Sequence, residues 1–289
     1  MKTYKLFALC AAVLLPAWTV FAQEETLENT TSWKAEVFAS AASGTNTPFW
    51  LASNRYGLVP LDAGNGYGLT GIVHHQSLNK DWSWQAGLSL AAVEPRYRNI
   101  LIQEFFAGVS YKNLRLTIGS KENHTSLWNK ALSSGDMVHS GNARPIPELN
   151  LSMPHFTLVP YTKGWLQVKG DFAVGRSFDE AYLKQTVRPG TTYVDNVLWH
   201  HKSGYLRLED TKGNFPVSAT VGLQHWVQWG GTSSNPKIGK QPQSFRDFIR
   251  VVTGSEGGEG ATLSDQINVL GNHYGSYDME VAYKGKKLS

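Results

Sequence analysis

The sequence predicts an all-β chain: an antiparallel transmembrane β-barrel with short periplasmic turns and long extracellular loops that carry one or two short helices. Three observations lead there. Segments of about ten residues alternate apolar and polar side chains with a period of two. No helix-period segment of comparable length competes, and beyond residue 22 no stretch stays apolar for the roughly 18 residues that a spanning helix needs. The turns between segments are markedly unequal in length.

The first element is a leader. Lys2 and Lys5 make a positive start, Leu6 to Leu15 is apolar, Pro16 breaks the run, and Val20-Phe21-Ala22 supplies small residues at the two positions a signal peptidase reads. Residues 1–22 are therefore expected to be a cleaved signal peptide, with an exported domain over 23–289. Cys10, the only cysteine, lies inside the leader, and Leu9 stands where lipoprotein processing needs a small residue. The exported chain then has no thiol, which excludes disulfide scaffolds, cysteine-zinc sites and thiol nucleophiles. Lys plus Arg number 27 against 23 Asp plus Glu; without Lys2 and Lys5 the basic count is 25, and the basic residues are scattered. That is not a nucleic-acid footprint.

Strands are expected near 32–42, 67–78, 82–92, 101–111, 114–121, 148–152, 165–175, 197–208, 217–229 and 276–284. The clearest is the third, where Trp82, Trp84, Ala86, Leu88, Leu90 and Ala92 alternate with Ser83, Gln85, Gly87, Ser89 and Ala91. Leu166, Val168, Gly170, Phe172 and Val174 repeat the pattern, as do Val217, Ala219, Val221 and Leu223; Leu114, Leu116 and Ile118 give a shorter copy. Asn79-Lys80-Asp81 and Lys112-Asn113 read as tight periplasmic turns, whereas 178–196, with Pro189-Gly190, and 230–275, rich in Gly, Pro and Ser, are long and are expected on the outside. Within the latter, Ser244–Val252 and Leu263–Leu270 are expected as short helices. Trp33, Trp82, Tyr111, Trp165, Tyr205 and Trp229 lie near strand ends, where an aromatic girdle would put them. The rival reading of these aromatics is the core of a secreted, soluble β-sandwich. The chain ends Tyr283-Lys-Gly-Lys-Lys-Leu-Ser289, a turn after a strand rather than a closing aromatic strand, so the barrel is expected to be incomplete here.

Three long motifs carry a family resemblance. They are Pro48-Phe-Trp-Leu-Ala-Ser-Asn-Arg-Tyr-Gly57, Ser134-Gly-Asp-Met-Val-His-Ser-Gly-Asn-Ala-Arg-Pro-Ile-Pro147 and Asp265-Gln-Ile-Asn-Val-Leu-Gly-Asn-His-Tyr-Gly-Ser-Tyr-Asp278. In this order they resemble the Wzi-like capsule assembly proteins in their Bacteroidetes form. The resemblance covers nearly the whole exported chain. It implies a larger outer-membrane β-barrel, of which this would be the N-terminal part, inserted by the barrel assembly machinery and surrounded by outer-membrane lipid. It also implies a non-enzymatic role in binding or organising capsular or other surface polysaccharide, with no cofactor. Phe49, Trp50, Asn54, Gly57, Ser140, Gly141, Asn142, Arg144, Pro145 and Pro147 are motif residues without an assigned role.

A glycan binder needs aromatic faces for sugar rings, planar amides and carboxylates for hydroxyls, and Arg or Lys for acidic sugars. The last long loop offers Asn235, Lys237, Lys240, Arg246, Asn272, His273 and Tyr274. Its competing role is a plug or rim of the lumen. Segment 139–147 is stiff, and Pro145 and Pro147 preclude a central strand, so it reads as a loop folded inward rather than a sugar site. His74-His75 and His200-His201 sit in expected strands, where neighbours point to opposite faces and cannot chelate one ion together. The adjacent acids Asp179-Glu180 and Glu209-Asp210 invite a glycosidase reading, but a sequence with 23 acids contains such pairs anyway, and no nucleophile elbow or His-Glu-x-x-His occurs. No catalytic or metal site is therefore expected. A diffusion channel without glycan specificity is the remaining alternative.

Overall fold

A computed structural model describes residues 29–41, 44–61, 64–94, 100–122, 127 and 135–285. The leader and the family motif's Ser134 lie outside the described residues. In chain order the elements are β1 (Thr30–Ser40), α1 (Phe49–Ala52), β2 (Asn65–Ser77), β3 (Trp82–Glu94), β4 (Ile100–Tyr111), β5 (Leu114–Ser120), β6 (Glu148–Leu158) and β7 (Leu166–Arg176). They continue with α2 (Glu180–Thr186), β8 (Val194–Asp195), β9 (Leu198–Leu208), β10 (Val217–Trp229), β11 (Thr232–Ser233), α3 (Phe245–Thr253), α4 (Leu263–Ile267) and β12 (Asn272–Tyr283). Ten strands form one antiparallel sheet in the order β1-β2-β3-β4-β5-β6-β7-β9-β10-β12, and β8 pairs with β11 alone. β1 and β12 are the two edges; no ladder joins them among the described residues. No described helix is long and apolar enough to cross a membrane.

Register decides which residues share a face. Leu88 stands opposite both Ile72 and Phe105, Ile118 opposite Ala107 and Leu149, and Leu151 opposite Phe172. Further along, Leu206 is opposite Val168 and Val221, and Val221 opposite Met279. One face of the sheet is therefore a continuous apolar surface, and its side chains are open: Trp33 is 76% exposed, Phe105 66%, Ile118 63% and Met279 77%. Trp82, Leu88, Leu166, Phe172, Val221 and Leu223, each from a sequence-predicted apolar stripe, all lie on it. Scattered exposed apolar residues are ordinary, but a sheet-wide patch marks contact with lipid or another apolar partner.

The opposite face is polar, with Glu36, Ser89, Gln103, Arg115, Asn150, Asp171, Ser203, Arg207, Gln224 and Glu280 on it. Two chain segments, 47–60 and 135–147, cover parts of it. Residues 47–60 bring Ala52, Leu58 and Val59 against Leu69, Ala91, Val93 and Leu101 in a small buried cluster. A second cluster forms on the apolar face, at the ends of β9 and β10, where α3 and its neighbourhood bring Phe248, Val251, Ala261 and Leu270 onto Leu198, Val227 and Trp229. The start of α3 is fixed by a capping box between Ser244 and Asp247, and its end by Gly254 in the left-handed region at φ 66°.

The connections 78–81, 112–113, 159–165 and 209–216 lie at one end of the sheet; the long ones, 41–64, 121–147, 177–197 and 230–271, leave from the other, where β3 and β4 are also joined by five residues. Three expectations need correction. The 178–196 segment contains a helix, α2, with Glu180 paired to Lys184 one turn on. β6 runs to Leu158 rather than residue 152: its ladder to β7 is interrupted between Met153 and Thr157 around Pro154, which has no N–H to donate, but resumes at Thr157 and Leu158, with Asn113 bonded to the backbone of His155 across the gap. The aromatics also divide. Trp82 packs on Tyr111 at 4.9 Å and Trp165 on Phe215 at 6.1 Å near the short turns, but Tyr205 and Trp229 are buried. Tyr205 lies on the polar face and donates to Asp278 at 2.5 Å, and Trp229 lies under Phe248, so neither belongs to a girdle.

Candidate functional site

The polar face is where the three sequence motifs meet. Residues 135–147 cross it as a strap. Segment 49–57 clasps that strap: Tyr56 N–H donates to Gly141 O at 2.9 Å and Gly57 N–H to the Asn142 Oδ1 at 3.0 Å. Arg144 reaches on to Ile102 O at 2.9 Å, Gln103 donates to Tyr56 O at 3.1 Å, and Pro147 O accepts from Arg176 N–H at 3.0 Å. Asp136 folds the strap's start by accepting from the N–H groups of Val138 and His139, both at 2.7 Å. Its other oxygen accepts from Gln224 at 3.1 Å, and Gln224 also donates to Asp278 at 3.0 Å, which ties the second motif to the third. Asn54, at φ 55°, sits against the two glycines of the strap: a Cβ on Gly141 would lie 2.0 Å from its Oδ1. Phe49 and Trp50, by contrast, point away and are about three-quarters exposed, at 74% and 75%. Ser140 and Pro145 shape the strap itself, Ser140 O accepting from Ala143 N–H at 2.9 Å.

Gly57 is the tightest point of this clasp. Its φ is +69°, and an added Cβ would lie 2.7 Å from Arg144 Cγ and 3.0 Å from Asn142 O. Gly57→Ala is therefore expected to cost about 1–2 kcal/mol in backbone strain alone and to loosen the strap. Faster limited proteolysis within 135–147, with the sheet's circular dichroism unchanged, is the expected result.

Beneath the strap lies an ion cluster that sequence reasoning missed. His201 Nδ1 is 2.7 Å from Asp171 Oδ2 and its Nε2 2.9 Å from Glu148 Oε2, and the ring is 4% exposed. An imidazole that donates to a carboxylate through both nitrogens is the cationic form. The same ring stacks on Trp226 at 4.1 Å, and His139 of the strap stacks on Trp226 at 4.3 Å. Burial first, and the neighbouring His201 next, hold His139 below its ordinary 6.5, against the pull of Asp136 and Glu148. A signal existed in the sequence: His201 and the acids 148 and 171 fall on the polar positions of successive strands, so a simple up-and-down order places them side by side.

Next to this cluster is a cavity of about 180 Å³ between the strap and β5, β6, β7, β9 and β10, with Tyr56, Arg115, Lys121, Asn150, Lys169 and Trp226 in its wall. The seven loop residues expected to bind sugar are elsewhere and are split. Lys240 and Arg246 share a groove of about 830 Å³ at the long-loop end with Gln241, Gln243 and Gln266. Asn235 builds a turn, its Oδ1 accepting from Lys237 N–H at 3.1 Å. Asn272, His273 and Tyr274 are strand residues of β12; His273 is on the apolar-face side, 3.0 Å from His225, while Tyr274 stands opposite Trp226 on the polar face.

The paired acids have structural duties. Asp179 accepts from Asn196 N–H at 2.9 Å, Glu209 holds Gln167 at 3.2 Å and pairs with Lys284, and Asp210 accepts from the N–H groups of Lys212, Asn214 and Phe215. His200 and His201 point to opposite faces as expected, and no group of three or more metal-ligating side chains occurs among the described residues. No protein-family model matches the sequence, and no curated protein matches it either.

Proposed function

We propose that these strands belong to an outer-membrane β-barrel of the Wzi-like kind, which binds or organises capsular polysaccharide at the cell surface without enzymatic chemistry. The carrying observation is the two-faced sheet: one face openly apolar from β1 to β12, the other polar, with every long connection at one end. Lipid is a solvent that suits such an apolar face, and in this reading the polar face lines the lumen. The rival β-sandwich needs a second sheet of comparable size to cover the apolar face, and the other ladder among the described residues has two strands of two residues each. The groove at the long-loop end, with Lys240, Arg246 and three glutamines, has the cations and planar amides that a surface glycan calls for.

The test is genetic. Cells of the source organism lacking the gene are expected to shed capsular polysaccharide into the medium, and re-expression is expected to restore the cell-bound fraction together with a heat-modifiable outer-membrane band. Unchanged capsule retention in the deletion strain refutes the proposal.

A further inference from the structure

We propose that the cavity under the strap is a subsite for an acidic sugar, a single hexuronate-like unit whose carboxylate is held by Arg115, Lys121 and Lys169. This deepens the glycan-binding reading and rests on it. The first observation is an imbalance of charge. The two carboxylates in the cavity wall, Glu148 and Asp171, are both engaged by His201. Lys202 also borders the cavity but lies on the apolar face of its strand and donates to Val252 O; of the remaining cations, Arg115, Lys121 and Lys169, none has a carboxylate within ion-pair distance among the described residues. Arg115 donates through Nε to Ser110 Oγ at 3.1 Å, Lys121 lies over the Phe106 ring at 4.7 Å, and Lys169 over Phe156 at 5.7 Å. Like charges around one cavity repel each other, and an anion between them removes that cost while gaining charge-assisted hydrogen bonds.

The second observation is what accompanies the cations. Tyr56 supplies an aromatic ring and Asn150 a planar amide, the partners of a sugar ring and its hydroxyls rather than of a bare inorganic anion, while Trp226 is already stacked by His139 and His201. About 180 Å³ is below the usual range for drug-sized ligands and suits one ring, not a chain.

Lys121 adds a titratable handle. Burial first, then Arg115 beside it, push its ammonium down to about 8, with Glu104 of β4 pulling the other way. Glu122, its sequence neighbour, is 3.7 Å from Lys34. A bound carboxylate favours the charged ammonium, so binding takes up a proton near pH 8, and affinity falls as the pH rises through that value.

The experiment measures binding of D-glucuronate, D-glucose and inorganic phosphate to the full chain folded in detergent. Glucuronate is expected to bind about tenfold more tightly than glucose at pH 7, the worth of one charge-assisted hydrogen bond. It is also expected to bind more tightly than phosphate, to weaken with added salt, and to weaken between pH 7 and 9. Lys121→Gln with Lys169→Gln is expected to lose that preference, and Lys121→Gln alone to lose the step near pH 8.

Glucose bound as tightly as glucuronate, salt-independent binding, or an unchanged double variant overturns the subsite; phosphate bound more tightly overturns the sugar assignment. Wild-type salt and pH series keep the test decisive even where the double variant does not fold. Capsule retention separates the two readings. No glucuronate binding by a chain that cells need to hold capsule sinks the subsite alone, whereas glucuronate binding by a chain they do not need sinks the proposed function.

Discussion

Arginine at Leu88 and at Phe105, the residue facing it across the β3–β4 ladder, is expected to abolish stable insertion of the chain into lipid. Both side chains lie on the apolar face, 39% and 66% exposed, near the middle of their strands. A cation at the midplane on the lipid side of a barrel costs about 2–4 kcal/mol, and two placed directly opposite repel each other as well. Ser83→Arg is the control, on the same strand but the polar face. Flotation with phospholipid vesicles and protection from added protease read the outcome. The double variant should stay with the aqueous fraction while Ser83→Arg floats like the parent. If the apolar face is instead covered by protein, the parent itself stays with the aqueous fraction, and the membrane reading falls.

Removal of the His201 imidazole should produce the largest loss of stability inside the sheet. In His201→Ala, Glu148 and Asp171 remain as two partly buried carboxylates without the cation between them, and Trp226 loses the ring stacked on it at 4.1 Å. Breaking a buried pair by removing one partner typically costs about 3–5 kcal/mol. The expected result is a urea midpoint shifted well below the parent's in detergent, with faster cleavage of the strap. Adding Glu148→Gln and Asp171→Asn to His201→Ala should restore a large part of the loss, because the uncompensated charge is then gone. A triple variant no more stable than His201→Ala alone would show that packing on Trp226, not charge balance, holds this region.

The strands were legible because their signal is local. Alternation along Trp82 to Ala92 already tells which side chain faces which way, and the ladder pairs Trp82 with Tyr111 and Leu88 with Phe105 as the stripes require. The helix over 245–253 was legible for a similar reason, since Ser244 and Asp247 form a cap within one turn. What periodicity does not carry is where a long connection comes to rest. Segment 47–60 and the strap lie on the polar face, while α3 lies on the apolar face, and these choices depend on contacts far apart in the chain, such as Gln224 with Asp136 and Phe248 with Trp229. Sequence adjacency pairs His201 only with His200, its neighbour on the other face. Its real partners sit one and two strands away, at positions 171 and 148. Tyr205 and Trp229 lie near strand ends as girdle aromatics do, but strand parity and the fold of α3 decide their burial.

The strand order has a consequence for how the sheet comes into being. Every ladder joins strands that are successive in the chain, apart from the two-residue β8 and β11, so the sheet can grow one hairpin at a time and its contact order stays low for so wide a β-structure. Closing a loop costs entropy that rises with its length, so hairpins with little chain between their strands form first. β2 to β5, with connections such as 78–81 and 112–113, are the run where strand follows strand with the least intervening chain. Growth is expected to start there and to be slowest at β5 to β6 and at β10 to β12, where 121–147 and 230–271 must first be gathered in.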